Sequence, residues 1–198
     1  MEYLYGLFRA SPITAAAAGW IFELRIHQLL LRHQTIQLFR IHGRRAAPDF
    51  IYEGYPVPGK GVKPTVLHLP ESDEHPLVEG DRLHMNHYYR LNSSDFPATD
   101  SMLLIHPPGE PSPILLMFQM TRNKREHDVD EEGLCKIDDF RLPRRTRRYY
   151  VVVSPEGTQP QIKVPPACFE GRGQRDMSPD ELFPVFHHPV RMNALFAP

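Results

Sequence analysis

The sequence predicts an α/β domain: a mixed sheet flanked by helices, with core order α-β-β-β-α-β and one irregular insertion. Three observations carry this. The N-terminal stretch "SPITAAAAGWIFELRIHQLLLRH" repeats its apolar residues at helical spacing. Two apolar runs, "DSMLLIH" and "ILLMFQMT", flank the turn-forming "PPGEPSP", which is a hairpin signature. The β-branched run "RYYVVVSPEG" is stopped by Pro155 and Gly157, as a buried strand is.

In chain order, Ser11 is placed to cap the first helix and Pro12 suits its first turn. Ile13, Ala16, Ala17, Trp20, Ile21 and Leu24 form its apolar face. "TIQLFRIHG" alternates Ile36 and Leu38 against Gln37, Phe39 and Ile41, a strand ending at Gly43. The stretch 44–86 reads as an insertion, with short strand-like pieces at Phe50–Tyr52 and Thr65–Leu69 split by Pro and Gly. "NHYYRLNSSDFPATD" is an aromatic stretch running into a loop. After the hairpin, "DVDEEGLCKIDDF" reads as a short helix and "RYYVVVSP" as the last core strand. The chain is thus expected to be one domain over 1–198: core about 11–43 and 86–155, insertion about 44–85, Pro-rich tail 155–198.

Composition narrows function by exclusion. With 23 Lys+Arg against 24 Asp+Glu, net charge is silent about nucleic acid and only local clusters speak. Two cysteines, Cys135 and Cys168, with no CxxC, make neither a disulfide framework nor a cysteine-rich zinc site. They fit a reducing, intracellular compartment. No secretory signal is read at the N-terminus, and no apolar run reaches the roughly 18 residues of a membrane span. His84/His87 and His187/His188 lack the i,i+4 spacing of a metalloprotease motif, and "GKG" is not a phosphate loop.

The hairpin sets up a polar corner. A turn centred between Gly109 and Glu110 places Asp100 opposite Gln119. Strand alternation puts Gln119 and Thr121 on one face. Either Asp100 caps a turn and the other two mark where the strand surfaces, or the three form a functional cluster. On the helix, Glu23 has Gly19 and Trp20 one turn back and Ile26 and His27 one turn on. A partly buried carboxylate there calls for a partner: His27, Arg40 or a metal.

The strings "AAAAGWIFELRIHQLL", "FRIHG", "YYRLNSSDFPATDSMLLI", "ILLMFQMT…H…GL" and "YYVVVSP" together resemble the restriction-endonuclease-like domain of Crinkler and retrotransposon-hot-spot-type proteins, abundant in fungi and oomycetes. The resemblance spans roughly residues 10–154. Its Gly-x-x-(Phe/Tyr)-Glu motif is matched by Gly19 to Glu23. Its loop motif is matched by Tyr88, Tyr89, Asn92 and Thr99–Ser101. Its Gln-x-Thr is matched by Gln119–Thr121, with His127 beyond.

The resemblance implies a PD-(D/E)xK nuclease fold and a DNA (or RNA) phosphodiesterase using Mg²⁺ or Mn²⁺, acting as an effector or toxin, with the nucleus as one site of action. Asp100, Glu23 and Gln119 then become the metal ligands. Gln119 stands at the usual strand acid, Thr121 at the general-base lysine, and Lys124 is the nearest lysine. Magnesium takes carboxylates, carbonyl oxygens and waters, so this set is chemically acceptable. Relatives often carry an NTPase module ahead of the nuclease, and this chain begins too near the first helix to include one.

Phosphate contact is expected from Arg144, Arg145, Arg147 and Arg148 in "FRLPRRTRRYY", from Arg44 and Arg45, and from Arg122 and Arg125 behind the site. The departure from Glu-x-Lys keeps an alternative open: a catalytically degenerate copy binding DNA or protein. A regulatory or immunity-type interaction domain is the third class.

Overall fold

The computed structural model describes residues 15–32, 34–56, 62–77, 82–91, 98–122, 126–166 and 178–195. Helix α1 spans Ala15–Leu30, so the Ser11–Pro12 cap falls outside the described residues. Ala18, Phe22, Ile26 and Leu30 recur every four residues and are fully buried. Trp20 and Leu24, read from sequence as part of the buried stripe, are exposed instead, Trp20 by 72 %. A helix that rests on a sheet buries only one stripe, and Trp20 lies to the side of it.

Among the described residues, eleven strands form one mixed sheet: β1 Gln34–Ala46, β2 Asp49–Gly54, β3 Thr65–Leu69, β4 Glu74–His75, β5 Tyr88–Arg90, β6 Ser101–Ile105, β7 Ile114–Met120, β8 His127–Asp128, β9 Arg147–Pro155, β10 Ile162–Val164 and β11 Val185–Val190. Their order is β4-β5-β6-β7-β9-β11-β1-β2-β10-β8, with β3 pairing β1. Helices α2 (Glu131–Asp138), α3 (Pro179–Leu182) and α4 (Met192–Leu195) are short. The protein is α/β, with a large mixed sheet and few helices among the described residues.

The centre is β7, antiparallel to β6 and parallel to β9, and buried along its whole length. Burial on both sides explains the unbroken apolar run. On one face, Leu116, Phe118, Val151 and Val153 meet Phe22 and Ile26 of α1. On the other, Leu115, Met117, Tyr150 and Val152 meet Ile137 and Phe140 near α2, together with Tyr52, Ile162 and Val164. The chain covers this second face by bending β1: residues 39–41 pair with β11, whereas His42–Ala46 pair with β2.

Two further sequence expectations differ from the structure, and a third is met. Gly43 does not end its strand; it lies at a β-bulge inside β1. A Cβ there would sit 2.7 Å from the Tyr52 ring, so glycine admits the ring rather than stopping the strand. The 44–85 insertion includes β2, β3 and β4, and its two strand-like pieces do form strands. The Pro-rich tail holds β11, which lies between β9 and β1 in the middle of the sheet.

Candidate active site

The β6–β7 register pairs Ser101 with Phe118 and Ile105 with Ile114, as a turn centred between Gly109 and Glu110 requires. Asp100 continues this ladder. Its N–H donates to Phe118 O (2.9 Å) and its carbonyl accepts from Leu91 N–H (2.9 Å), so backbone bonds on both sides hold it. Its Oδ2 accepts from Gln119 Nε2 at 3.0 Å and from Met120 N–H at 2.6 Å. Gln119 is buried, and among the described residues its Oε1 has no hydrogen-bond donor. A buried acceptor left unsatisfied is costly and uncommon.

Burial pushes the Asp100 carboxyl up to about 7 from its ordinary 3.8. The negative charge of Glu23 pushes the same way, and the Met120 and Gln119 donors offset part of the rise. Glu23 is the reverse case. Its hydrogen bond to His27 holds its carboxyl below the usual range, helped by the charges of His27 and Arg90 and opposed by burial. Its Oε1 lies 3.4 Å from His27 Nε2 and 4.0 Å from Arg90. Of the partners expected from sequence, His27 is the one found. Arg40 instead donates to the Asp180 carbonyl.

Glu23 lines a cleft of about 350 Å³ with Ala16, Gly19, Phe22, Met120, Thr121 and Arg122. Strand alternation groups Gln119 with Met117, on the face away from α1, while Glu23 comes from α1 itself. Gln119 and Glu23 therefore stand on opposite faces of the sheet, both near the end of β7 where Met120 and Thr121 line the cleft. Among the described residues, no three His, Cys, Asp or Glu side chains gather closely enough to hold a metal. The two carboxylates and the amide oxygen are donor types that a hard cation takes.

No known family, characterised protein or solved structure matches the chain.

The remaining predicted site residues scatter. Lys124 and Arg125, like Asn92 of the loop motif, lie outside the described residues. Arg122 is in the cleft wall. Arg44 pairs with Glu53 at 2.7 Å, and Arg45 stacks over Phe50, both on the β1–β2 hairpin. Arg147 and Arg148 sit at the start of β9, level with Ile114 and Leu115. Gln119 is five residues further along β7, about 17 Å away at ~3.3 Å per residue. Arg147 pairs with Glu110 and Arg148 with Asp138. Arg144 and Arg145 are exposed in the preceding turn. These last four lie apart from the Asp100 corner because β7 and β9 are parallel, and the crossover starts the second strand at the opposite end of the sheet.

Arg90 was not singled out in the sequence as a site residue. Its position two residues after Tyr88, in a short strand leading to the Asp100 loop, was the available signal.

Proposed function

We propose that the protein is a metal-dependent phosphodiesterase acting on DNA or RNA, on a restriction-endonuclease-like core of the Crinkler type. The observation that carries this reading is the Asp100 corner: a buried carboxyl raised to about 7 by burial and by a second carboxylate, beside an amide oxygen with no donor among the described residues. Such an arrangement is electrostatically short of a cation.

The topology supports the finer fold reading in one respect and adjusts it in another. The hairpin, helix and parallel strand of the expected order correspond to β6, β7, α2 and β9, while β1, the strand expected after α1, pairs with β11, β2 and β3. The strand beside β6 is β5, however, and not β1.

Asp100, Glu23 and the Gln119 Oε1 would hold Mg²⁺ or Mn²⁺. Bound there, the ion supplies a water of lowered pKa and stabilises charge on the scissile phosphate. The chain's own groups do the rest. Asp100 releases its proton near neutral pH and offers the oxygen that Gln119 and Met120 leave open. Arg122 in the cleft wall and Arg90 beside Glu23 present guanidinium groups to a phosphate. Thr121 can orient a water but carries no charge, so it cannot supply the positive charge of the usual lysine.

The test is nicking of supercoiled plasmid with Mg²⁺, Mn²⁺ or EDTA. Metal-dependent nicking lost in Asp100→Asn, with near-ultraviolet circular dichroism unchanged, is the expected result. Nicking that survives this substitution overturns the assignment.

A second reading, a binding-only copy, is favoured by one observation. The arginines at the start of β9 lie at the other end of the sheet, where Arg147, Arg148 and Thr146 line a separate cleft of about 640 Å³. Nucleic-acid binding indifferent to EDTA, in a protein that never nicks, would select it.

A further inference from the structure

Below Glu23 a line of polar side chains runs into the apolar interior. His27 Nε2 is 3.4 Å from Glu23 Oε1. His27 Nδ1 is 2.6 Å from the Tyr88 hydroxyl. That hydroxyl is 2.8 Å from Ser101 Oγ. The three inner residues are essentially sealed, at 1 %, 0 % and 0 % exposure. They belong to three elements, α1, β5 and β6, and Ser101 directly follows Asp100. Their surroundings are Phe22, Ile26, Leu103 and Phe118.

We propose that His27, Tyr88 and Ser101 form a positioning chain that sets the Glu23 carboxylate relative to Asp100 for binding a divalent cation. The inference rests on the metal-site reading above and assigns roles to three residues that it does not use.

Three arguments carry it. First, three adjoining polar side chains in an apolar core are costly unless every link is satisfied. Larger apolar side chains would pack there at lower cost, so the chain serves geometry rather than stability. Second, the links are satisfied in only one pattern of use. The imidazole has two nitrogens and each finds one partner, so the ring is held from both ends. Glu23 accepts only from an Nε2–H; in a neutral ring Nδ1 then accepts the Tyr88 O–H, and the Ser101 hydroxyl turns to donate to the Tyr88 oxygen. Burial drives the Tyr88 hydroxyl well above its ordinary value, so it keeps its proton as a donor. Third, the chain ends on the residue next to Asp100. Glu23 stands on the helix and Asp100 on the chain entering β6, and the His27–Tyr88–Ser101 line on the α1 face of the sheet is the buried link between these two elements among the described residues. Outer partners of this kind orient a ligating carboxylate and commonly change metal affinity by about 10–100-fold.

The experiment is Mn²⁺ binding to the full chain, followed by electron paramagnetic resonance, in a double-mutant cycle of Tyr88→Phe and Glu23→Gln. Tyr88→Phe keeps the ring that packs in the core and removes only the hydroxyl joining His27 to Ser101. The expected result is roughly 10-fold weaker Mn²⁺ binding in the wild-type background and no further loss in the Glu23→Gln background, since the chain acts through Glu23. His27→Gln, which retains an N–H for Glu23, should recover part of what His27→Ala loses.

Wild-type binding with Tyr88→Phe unchanged, or an equal loss in both backgrounds, overturns the positioning chain and leaves the metal site standing. Absence of any Asp100-dependent Mn²⁺ binding in the wild type overturns both.

Discussion

The two ends of strand β7 present polar groups in opposite ways. At the Met120 end, Asp100, Gln119, His27 and Ser101 are drawn into the protein, share few donors, and leave one buried oxygen unmatched. At the Ile114 end, Arg147 and Arg148 sit part-exposed and face carboxylates on Glu110 and Asp138. Exposed ion pairs of the second kind contribute little, about 0–1 kcal/mol, and are easily exchanged for other anions. Buried groups of the first kind are expensive to hold and do not rearrange freely. The contrast is why the proposed chemistry is assigned to the first end and the proposed phosphate contact to the second.

The comparison breaks most sharply at Asp100. Asp100→Ala should take metal-dependent nicking to background, while Arg147→Ala should change it only a few-fold; plasmid nicking measures both. Equal losses would mean that the two ends form one functional surface.

Next in size is a change that reaches Asp100 only through packing. Gly133 of α2 comes so close to the chain before β6 that a Cβ would lie 2.6 Å from the Ala98 nitrogen. Gly133→Ala should therefore cost about 1–3 kcal/mol of stability and weaken Mn²⁺ binding as well, read by denaturant titration and by metal titration. Destabilisation with intact metal binding would detach the corner from α2.

The pH dependence sharpens the contrast further. The Asp100 carboxyl is raised in the folded state from 3.8 to about 7. Its stabilising contribution is complete below the unfolded value near 4 and is lost as pH rises through 7. Asp100→Asn should then gain Tm relative to the wild type between pH 5 and pH 8, by calorimetry. Metal must displace the same proton, so wild-type Mn²⁺ affinity should fall by about tenfold per pH unit below 7. A flat profile over this range would remove Asp100 from the ligand set. Glu23 runs the other way: its lowered carboxyl contributes above its ordinary 4.5 and loses that contribution as pH falls. With 38 % of its side chain exposed, the effect is small.

Smallest is the arginine end. Alanine at Arg144, Arg145, Arg147 and Arg148 together should lower the salt slope of nucleic-acid binding by up to about 0.9 for each phosphate no longer neutralised, with Mn²⁺ affinity unchanged. Gel-shift over a salt series measures it.

Much of the corner was readable before any coordinates. The turn residues around Gly109 set the register of two apolar runs, and that register alone brings Gln119 opposite Asp100. Helical spacing alone offers His27 to Glu23. The rest of the network was hidden because its members are far apart in the chain. Tyr88 is 61 residues from His27, and no local pattern joins them. Strand β11 was obscured by Pro189, which interrupts a strand pattern. It is tolerated because β1 pairs with β11 only at Val185 to His187, so the missing N–H falls beyond that ladder.

By itself, the sequence determined the first helix, the hairpin of β6 and β7 with its register, and β9, because periodicity and turn chemistry act over a few residues. Only the tertiary structure decided that β5 rather than β1 lies beside β6, and that the arginines stand at the far end of the sheet. It also decided that Glu23 takes His27 rather than Arg40 and has Arg90 beside it, and that burial raises the Asp100 carboxyl to about 7. Those outcomes depend on which faces are buried against each other and on the low-dielectric surroundings that burial creates, and neither property is local in the chain.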